Sequence, residues 1–101
     1  MSQQRIEAVR LRYAPGAGQG LRAALIAALE GGASEVVLDL GRSPRLDEAA
    51  LRELILLLRA ARELGGDVTL QIGDERTREI VSRAALDRIF TIEPAETEVR
   101  A

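Results

Sequence analysis

The chain has 101 residues, enough for one domain with its own hydrophobic core, and its net charge is -2. It contains no Cys and no His, and all 14 of its basic residues are Arg. This composition excludes disulfides, thiolate metal sites, Cys nucleophiles, Schiff-base chemistry and Lys-dependent phosphate loops. The scattered arginines and the small net charge do not indicate a nucleic-acid partner. Asp and Glu remain available for acid–base catalysis, but we predict no enzyme activity, cofactor or metal.

The sequence predicts a cytoplasmic protein that does not insert into a membrane. Its start, MSQQRIEAVR, lacks the basic stretch followed by an apolar run that marks a signal peptide. The apolar run from Leu54 to Leu58 is far too short to cross a bilayer.

The first half of the chain predicts two strands and a helix. Alternation from Ile6 to Tyr13 is typical of a half-exposed strand, and a turn is predicted over Pro15 to Gly18. Leu and Ala at helical spacing predict a helix from Gln19 to Glu30, which Gly31-Gly32 ends. Glu35 to Leu40 reads EVVLDL, the composition of a strand buried in a parallel sheet.

The second half continues the alternation of helices and strands. Asp47 is predicted to cap a helix from Glu48 to Leu64. A strand from Asp67 to Ile72 follows, then a helix from an Asp74 cap to about Ala84, and a short strand from Arg88 to Ile92. This order predicts an α/β fold with a mainly parallel sheet of four to five strands and helices packed on it. We expect a single domain over residues 1–101, with residues 95–101 as a frayed tail.

The segment Val36 to Leu51, VVLDLGRSPRLDEAAL, resembles the signature stretch of STAS domains, the fold of anti-sigma factor antagonists. In that register Asp39-Leu40 falls on the end of the strand, and Leu46-Asp47 falls just before the family's serines. RAARELGGDVTLQI and ALDRIFTI resemble later motifs of the same family. The resemblance covers roughly Gly20 to Ile92. The alternative is another flavodoxin-like βα protein.

The chain departs from this family pattern at the phosphorylation site. Glu48-Ala49-Ala50 stands where the family has Ser-Ser-Gly, so the phosphorylated position is occupied by Ala49, which has no hydroxyl. The family also usually has two strands before its first helix, where this sequence predicts one, and usually packs a final helix where this chain is short. The resemblance therefore implies a STAS-like domain without the family's phosphorylation control.

The predicted helix from Glu48 to Leu64 has more apolar surface than one sheet-facing side requires. At about 100° per residue, one side is apolar and faces the sheet. Ala49, Leu56 and Ala60 form a second strip, interrupted by Glu53, that either lies under a neighbouring helix or docks a partner. The predicted partner-binding residues are Arg45, Asp47, Glu48, Ala49, Arg52, Glu53, Leu56 and Ala60.

Other residues allow competing interpretations. Asp47 and Glu48 could form an acid–base pair, or Asp39 could accept phosphate as in a receiver domain, but a receiver needs a Lys that this chain lacks. Glu48 could imitate a permanent phosphate, although it lies about 100° around the helix from Ala49. Ser43 could be modified, but Ser43-Pro44 is more typical of a turn. The arginines at 76, 78 and 83 are interpreted as a solvated face.

These observations together predict a protein-binding adaptor of a bacterial-type regulatory system. The resemblance implies that an anti-sigma factor or switch kinase is the partner. The alternative is a structural subunit of an assembly, such as a STAS component bound to the ATPase of an ABC-type lipid transporter, or a stressosome-like shell. The sequence leaves self-association open.

Overall fold

Four strands and three helices alternate along the part of the chain that the computed structural model describes, which is residues 8–14, 16, 18–41 and 46–94. The strands are β1 (Ala8–Arg12), β2 (Glu35–Asp39), β3 (Asp67–Ile72) and β4 (Thr91–Pro94). The helices are α1 (Gly18–Glu30), α2 (Glu48–Glu63) and α3 (Glu75–Arg83), and a 3-10 helix spans Leu86–Arg88. Several predictions fall outside the described residues: the start of the first strand at Ile6, the modification of Ser43, the role of Arg45 and the tail from Ala95.

The four strands form one parallel sheet in the order β1-β2-β3-β4, which confirms the predicted fold class. The register pairs Val36 with Val68 and Leu38 with Leu70 in the middle of the sheet. When parallel strands follow one another in sequential order, right-handed crossovers place the intervening helices on the same face. We therefore expect one helix-covered face and one face without a helix layer.

The strand side chains that point toward the helices form the core, although Val37, Thr69 and Gln71 in the middle of the opposite face are buried as well. Val36, Leu38 and the alternate residues of β3 point to one face, are 0 % exposed, and join the core formed by the buried side chains of all three helices. The opposite face is mainly polar. It carries Arg10, Arg12, Glu35, Val37, Asp39, Thr69, Gln71, Thr91 and Glu93. The core therefore lies between the helices and a single face of the sheet.

The boundaries of α2 follow from local signals. Asp47 is the N-cap, with extended backbone, as predicted. At the other end Gly65 adopts a φ of 81°, and the amide of Gly66 donates to the carbonyl of Ala61, 2.9 Å away. This left-handed residue lets the chain reverse, and only glycine adopts it without steric cost. The helix ends at Glu63, one residue before the predicted end.

The predicted last strand from Arg88 to Ile92 is wrong in its position. Ala85 adopts a left-handed conformation with φ 61°, and the 3-10 helix then continues through Arg88. This path places Phe90, which is 4 % exposed, in the core. Strand pairing begins only at Thr91, which is in register with Thr69 of β3. Leu86 and Phe90 are buried in the core before the strand begins, so the strand starts three residues later than predicted.

Candidate functional site

The carboxyl ends of β1 and β2 and the amino end of α2 meet at one edge of the domain. Leu40 and Leu46 are both buried and hold the two described ends of the connection between β2 and α2 in the core. Asp39 accepts a hydrogen bond of 2.9 Å from the amide of Gly41, and this contact stabilises the turn that leaves β2. The carboxyl edge of a parallel sheet is the usual place for functional residues in α/β folds.

Asp47 places the first turn of α2 at this edge. Its Oδ1 accepts a hydrogen bond of 2.9 Å from the amide of Ala50, one of the helix donors that lack an intrahelical partner. Ala50 points into the core, where it is 3 % exposed. The predicted structural role of Asp47 as the N-cap is confirmed.

Asp47, Glu48, Ala49 and Arg52 form an exposed patch on the first turns of α2. Ala49 occupies the position that resemblance assigns to the family's phosphorylated serine, and it faces solvent. Glu48 is exposed beside it, where the positive end of the helix favours a carboxylate. A partner could therefore reach all four side chains without rearrangement of the core.

Tyr13 joins this patch to the rest of the domain, and the sequence interpretation missed it. Its hydroxyl donates a hydrogen bond of 2.9 Å to Oε1 of Glu53 on α2. Tyr13 is 4 % exposed, and its amide donates to the carbonyl of Asp39. Burial raises the pKa of the Tyr13 hydroxyl well above its ordinary value, and the carboxylates of Glu53 and Asp47 raise this pKa further. No local pattern links residues 13 and 53; the only signal was a lone tyrosine at the end of a strand.

The predicted second strip on α2 is only partly exposed. Leu56 is 54 % exposed, and Ala49 is exposed as well. Ala60 is only 6 % exposed because α1 packs against α2, so it adds little exposed surface to this strip. The exposed strip therefore ends at Leu56, and the alternative of a covering helix holds for Ala60.

The predicted buried side of α2 is confirmed. Its four central members, Leu54, Leu57, Leu58 and Ala61, are all buried. Arg52, Arg59 and Glu63 are exposed on the other side, as predicted. The helix thus presents a charged outer face with Leu56 as its exposed large apolar residue.

Two shallow grooves flank the exposed ridge of α2. The first, of about 390 Å³, lies between α1 and α2 and is lined by Gln19, Arg22, Glu53, Leu56, Leu57, Arg59, Ala60 and Glu63. The second, of about 450 Å³, lies on the other side of α2 and is lined by Ile55, Leu58, Arg59, Arg62, Glu63 and Ile89. Each has apolar residues bordered by charged ones, which suits contact with an apolar side chain of another protein. Neither groove is lined by Asp39 or Asp47.

The remaining predicted residues are placed as follows. Arg76, Arg78 and Arg83 of α3 are exposed, as predicted for a solvated face. Among the described residues, no group of three or more acidic side chains is arranged to hold a metal ion. No helix in the described part of the chain combines the length and the apolar character needed to cross a membrane.

Comparison with known proteins identifies the family. No curated protein is significantly similar in sequence to this chain. Among solved structures, a universal stress protein from Archaeoglobus fulgidus is 22% identical, with 91% of this chain and 76% of that chain covered. Its TM-score of 0.31 is too low to support a conclusion. The model of the STAS domain family matches residues 16–99, a range that includes the signature stretch and all three helices. The chain therefore belongs to the STAS domain family.

Proposed function

We propose that this STAS domain is a non-catalytic adaptor that binds another protein through the amino-terminal half of α2. The exposed patch of Asp47, Glu48, Ala49 and Arg52 carries this proposal, because the resemblance puts the family's phosphorylation position at Ala49. Buried Ala50 and Leu54 lie directly behind it and hold it rigidly. A rigid exposed surface loses little conformational entropy when a partner binds.

The partner that we propose is an anti-sigma factor or switch kinase of a bacterial-type regulatory system. The contact begins at the first turn of α2 and continues along Glu53 to Leu56. Leu56 supplies the apolar contact, and Arg52 and Glu53 supply charged neighbours that select the partner.

The binding is proposed to be independent of phosphorylation at the family position. Ala49 has no hydroxyl to accept a phosphoryl group. Glu48 provides one negative charge next to that position, about half the charge of a phosphate. Affinity would therefore be set by the amount of each protein rather than by a kinase acting at residue 49.

Two observations support a non-catalytic function. The chain contains no His, Lys or Cys, the residues that most often act as bases and nucleophiles. The carboxylates of Asp39 and Asp47 accept hydrogen bonds from the backbone amides of Gly41 and Ala50, so each has a structural role.

Titration of the purified chain with candidate partners tests the docking surface. Leu56→Asp and Glu53→Arg are each expected to weaken binding roughly tenfold to thirtyfold. Leu56→Asp places a charge in the apolar contact, and Glu53→Arg reverses the charge next to that contact. Arg76→Glu on α3 is the matched control, since it reverses an exposed charge on another helix. Unchanged affinity for both α2 variants would exclude this surface. If the chain binds a transporter ATPase but no anti-sigma factor or switch kinase, the proposed partner is wrong, whereas the proposed docking surface is not contradicted.

A second experiment tests the loss of phosphorylation. A switch kinase that binds the chain should leave the wild type unmodified and should phosphorylate Ala49→Ser. A wild type that is phosphorylated at another residue and then binds its partner more weakly would contradict phosphorylation-independent binding.

A further inference from the structure

One buried polar side chain of the described structure has no hydrogen-bond partner. The three buried polar residues in the described ranges are Thr69, Gln71 and Thr77. The hydroxyl of Thr69 donates to the carboxylate of Glu35, and the hydroxyl of Thr77 donates to Oδ1 of Asp74, 2.7 Å away. Gln71 is only 3 % exposed, yet its side-chain amide hydrogen-bonds to no residue within the described ranges. Native structures leave few buried polar groups unpaired, and a bound ion or water is the common reason for such a group.

Two carboxylates stand on either side of Gln71. Its register partners are Asp39 of β2 and Glu93 of β4. Residues in register on neighbouring strands project from the same face and are about 5 Å apart. The three side chains therefore share the sheet face opposite the helices, at the carboxyl ends of the strands. This row brings two carboxylates and one amide oxygen within reach of a common point above Gln71.

The two carboxylates are suited to hold a positive charge there. Oδ1 of Asp39 accepts the hydrogen bond from the amide of Gly41, which orients the carboxylate and leaves Oδ2 for another contact. Glu93 is half-buried, and no residue in the described ranges forms an ion pair or a hydrogen bond with its carboxylate. Its negative charge therefore has no compensating partner within the described structure.

We propose that Asp39, Gln71 and Glu93 form a binding site for a hydrated divalent cation of the Mg²⁺ type. Such hard cations prefer carboxylate and amide oxygens, and Mg²⁺ is commonly held by one or two carboxylates while it keeps several waters. Three protein oxygens leave the rest of its octahedral shell to water. A site built from oxygen alone requires neither the Cys nor the His that this chain lacks. The bound cation would give the Gln71 oxygen its missing partner and compensate both carboxylates.

Arg12 limits the affinity of this site. It is the register partner of Asp39 on β1, it is exposed, and its positive charge repels a cation at the neighbouring carboxylate. With three protein ligands and this repulsion, the dissociation constant for Mg²⁺ is expected on the order of 1 mM. Arg12→Gln removes the repulsion and should tighten binding roughly threefold. The site does not involve α2, so the proposal stands independently of the docking surface.

Amide NMR spectra of the full chain, with Mn²⁺ as a paramagnetic probe, locate the site. A trace of MnCl₂ should first broaden the amide signals of Asp39, Gln71 and Glu93 and of their immediate neighbours. Excess MgCl₂ should restore these signals, because both cations take the same oxygen ligands. Broadening that is centred instead on Asp47 and Glu48 of α2 would overturn the proposal. The absence of any localised effect of Mg²⁺ at about 5 mM would overturn it as well.

Substitutions test the ligands by the same titration. Gln71→Met and Glu93→Gln should each weaken Mg²⁺ binding roughly tenfold or more. Glu75→Gln is the matched control, since it removes an exposed carboxylate on α3 and should bind Mg²⁺ as the wild type does. Circular dichroism verifies that each variant is folded.

Thermal unfolding separates a ligand from a merely structural residue at position 71. Gln71→Met keeps the length of the side chain and removes the unpaired amide, so without Mg²⁺ the variant should be at least as stable as the wild type. Addition of Mg²⁺ should raise the midpoint of unfolding of the wild type and leave that of Gln71→Met almost unchanged. An equal response of both proteins to Mg²⁺ would show that Gln71 is not a ligand and would contradict the proposed site.

Discussion

The hydroxyl of Tyr13 and the carboxylate of Glu53 are hydrogen-bonded across 40 residues of sequence, at 2.9 Å. The contact ties the end of β1 to the second turn of α2, next to the exposed patch that begins at Asp47. Because Tyr13 also donates its amide to Asp39 of β2, one residue links two strands and the helix. The position of the proposed docking surface relative to the sheet depends on this connection.

Removing the tyrosine hydroxyl should destabilise the domain moderately. Tyr13→Phe keeps the buried ring but leaves the half-buried Glu53 carboxylate without this donor, so the free energy of unfolding should fall by about 1 to 2 kcal/mol. Urea denaturation measures the change. Glu53→Gln is the matched control, because its side-chain oxygen still accepts the hydrogen bond. Its free energy of unfolding should fall less than that of Tyr13→Phe. A Tyr13→Phe variant as stable as the wild type would show that water replaces the hydroxyl at no cost.

Tyr13 should also make stability fall at alkaline pH. Its pKa is raised in the folded state by burial and by the nearby carboxylates, so above about pH 10 the unfolded chain loses the phenolic proton while the folded domain keeps it. The folded state then binds more protons, and the free energy of unfolding falls with rising pH, by at most about 1.4 kcal/mol per pH unit. Below pH 10 this contribution is constant.

The composition makes this effect measurable. The chain has one Tyr, no Trp, no Cys and no Lys, so few other groups titrate between pH 9 and 12. Tyrosinate absorbance should titrate well above pH 10 in the native protein and near pH 10 in urea. The free energy of unfolding of Tyr13→Phe, measured by denaturation, should fall much less above pH 10 than that of the wild type. Native tyrosinate forming near pH 10 would contradict the buried position of the hydroxyl.

Two leucines of α2 that are two residues apart should respond in opposite ways to truncation. Leu54 is 0 % exposed, so Leu54→Ala should lower the free energy of unfolding by about 2 to 5 kcal/mol. The loss arises because buried apolar atoms are removed and a cavity remains. Leu56 is largely exposed, so Leu56→Ala should change stability by no more than about 0.5 kcal/mol. Thermal or urea unfolding distinguishes the two. A large loss of stability in Leu56→Ala would mean that this residue serves the fold rather than an interface.

Two substitutions of Asp47 separate its role in the helix cap from its proposed role in partner binding. Asp47→Ala removes the acceptor for the Ala50 amide and should cost about 1 kcal/mol. Asp47→Asn keeps a capping oxygen and should remain close to wild-type stability. If Asp47→Asn is stable but binds the partner more weakly, the charge contacts the partner. If its affinity equals that of the wild type, Asp47 belongs to the helix cap alone.

The sequence by itself determined the features that depend on neighbouring residues. The cap of α2 was predictable because the Asp47 side chain reaches an amide only three residues away. The buried side of α2 was predictable because helical periodicity determines which leucines share a face. The parallel sheet followed from the alternation of strands and helices, and the signature stretch Val36 to Leu51 indicated the family.

Only the tertiary structure decided which of the remaining surfaces are covered. Ala60 is buried because α1, about 30 residues earlier in sequence, packs against it, and no local pattern records which helix becomes a neighbour. The Tyr13–Glu53 contact has the same origin, since the sheet brings together residues that the chain separates. β4 starts later than predicted because the chain first makes a left-handed turn at Ala85 and a 3-10 helix, after which Phe90 is buried in the core. Local chemistry determines the elements and their ends, whereas packing between distant elements determines the surface that remains for a partner.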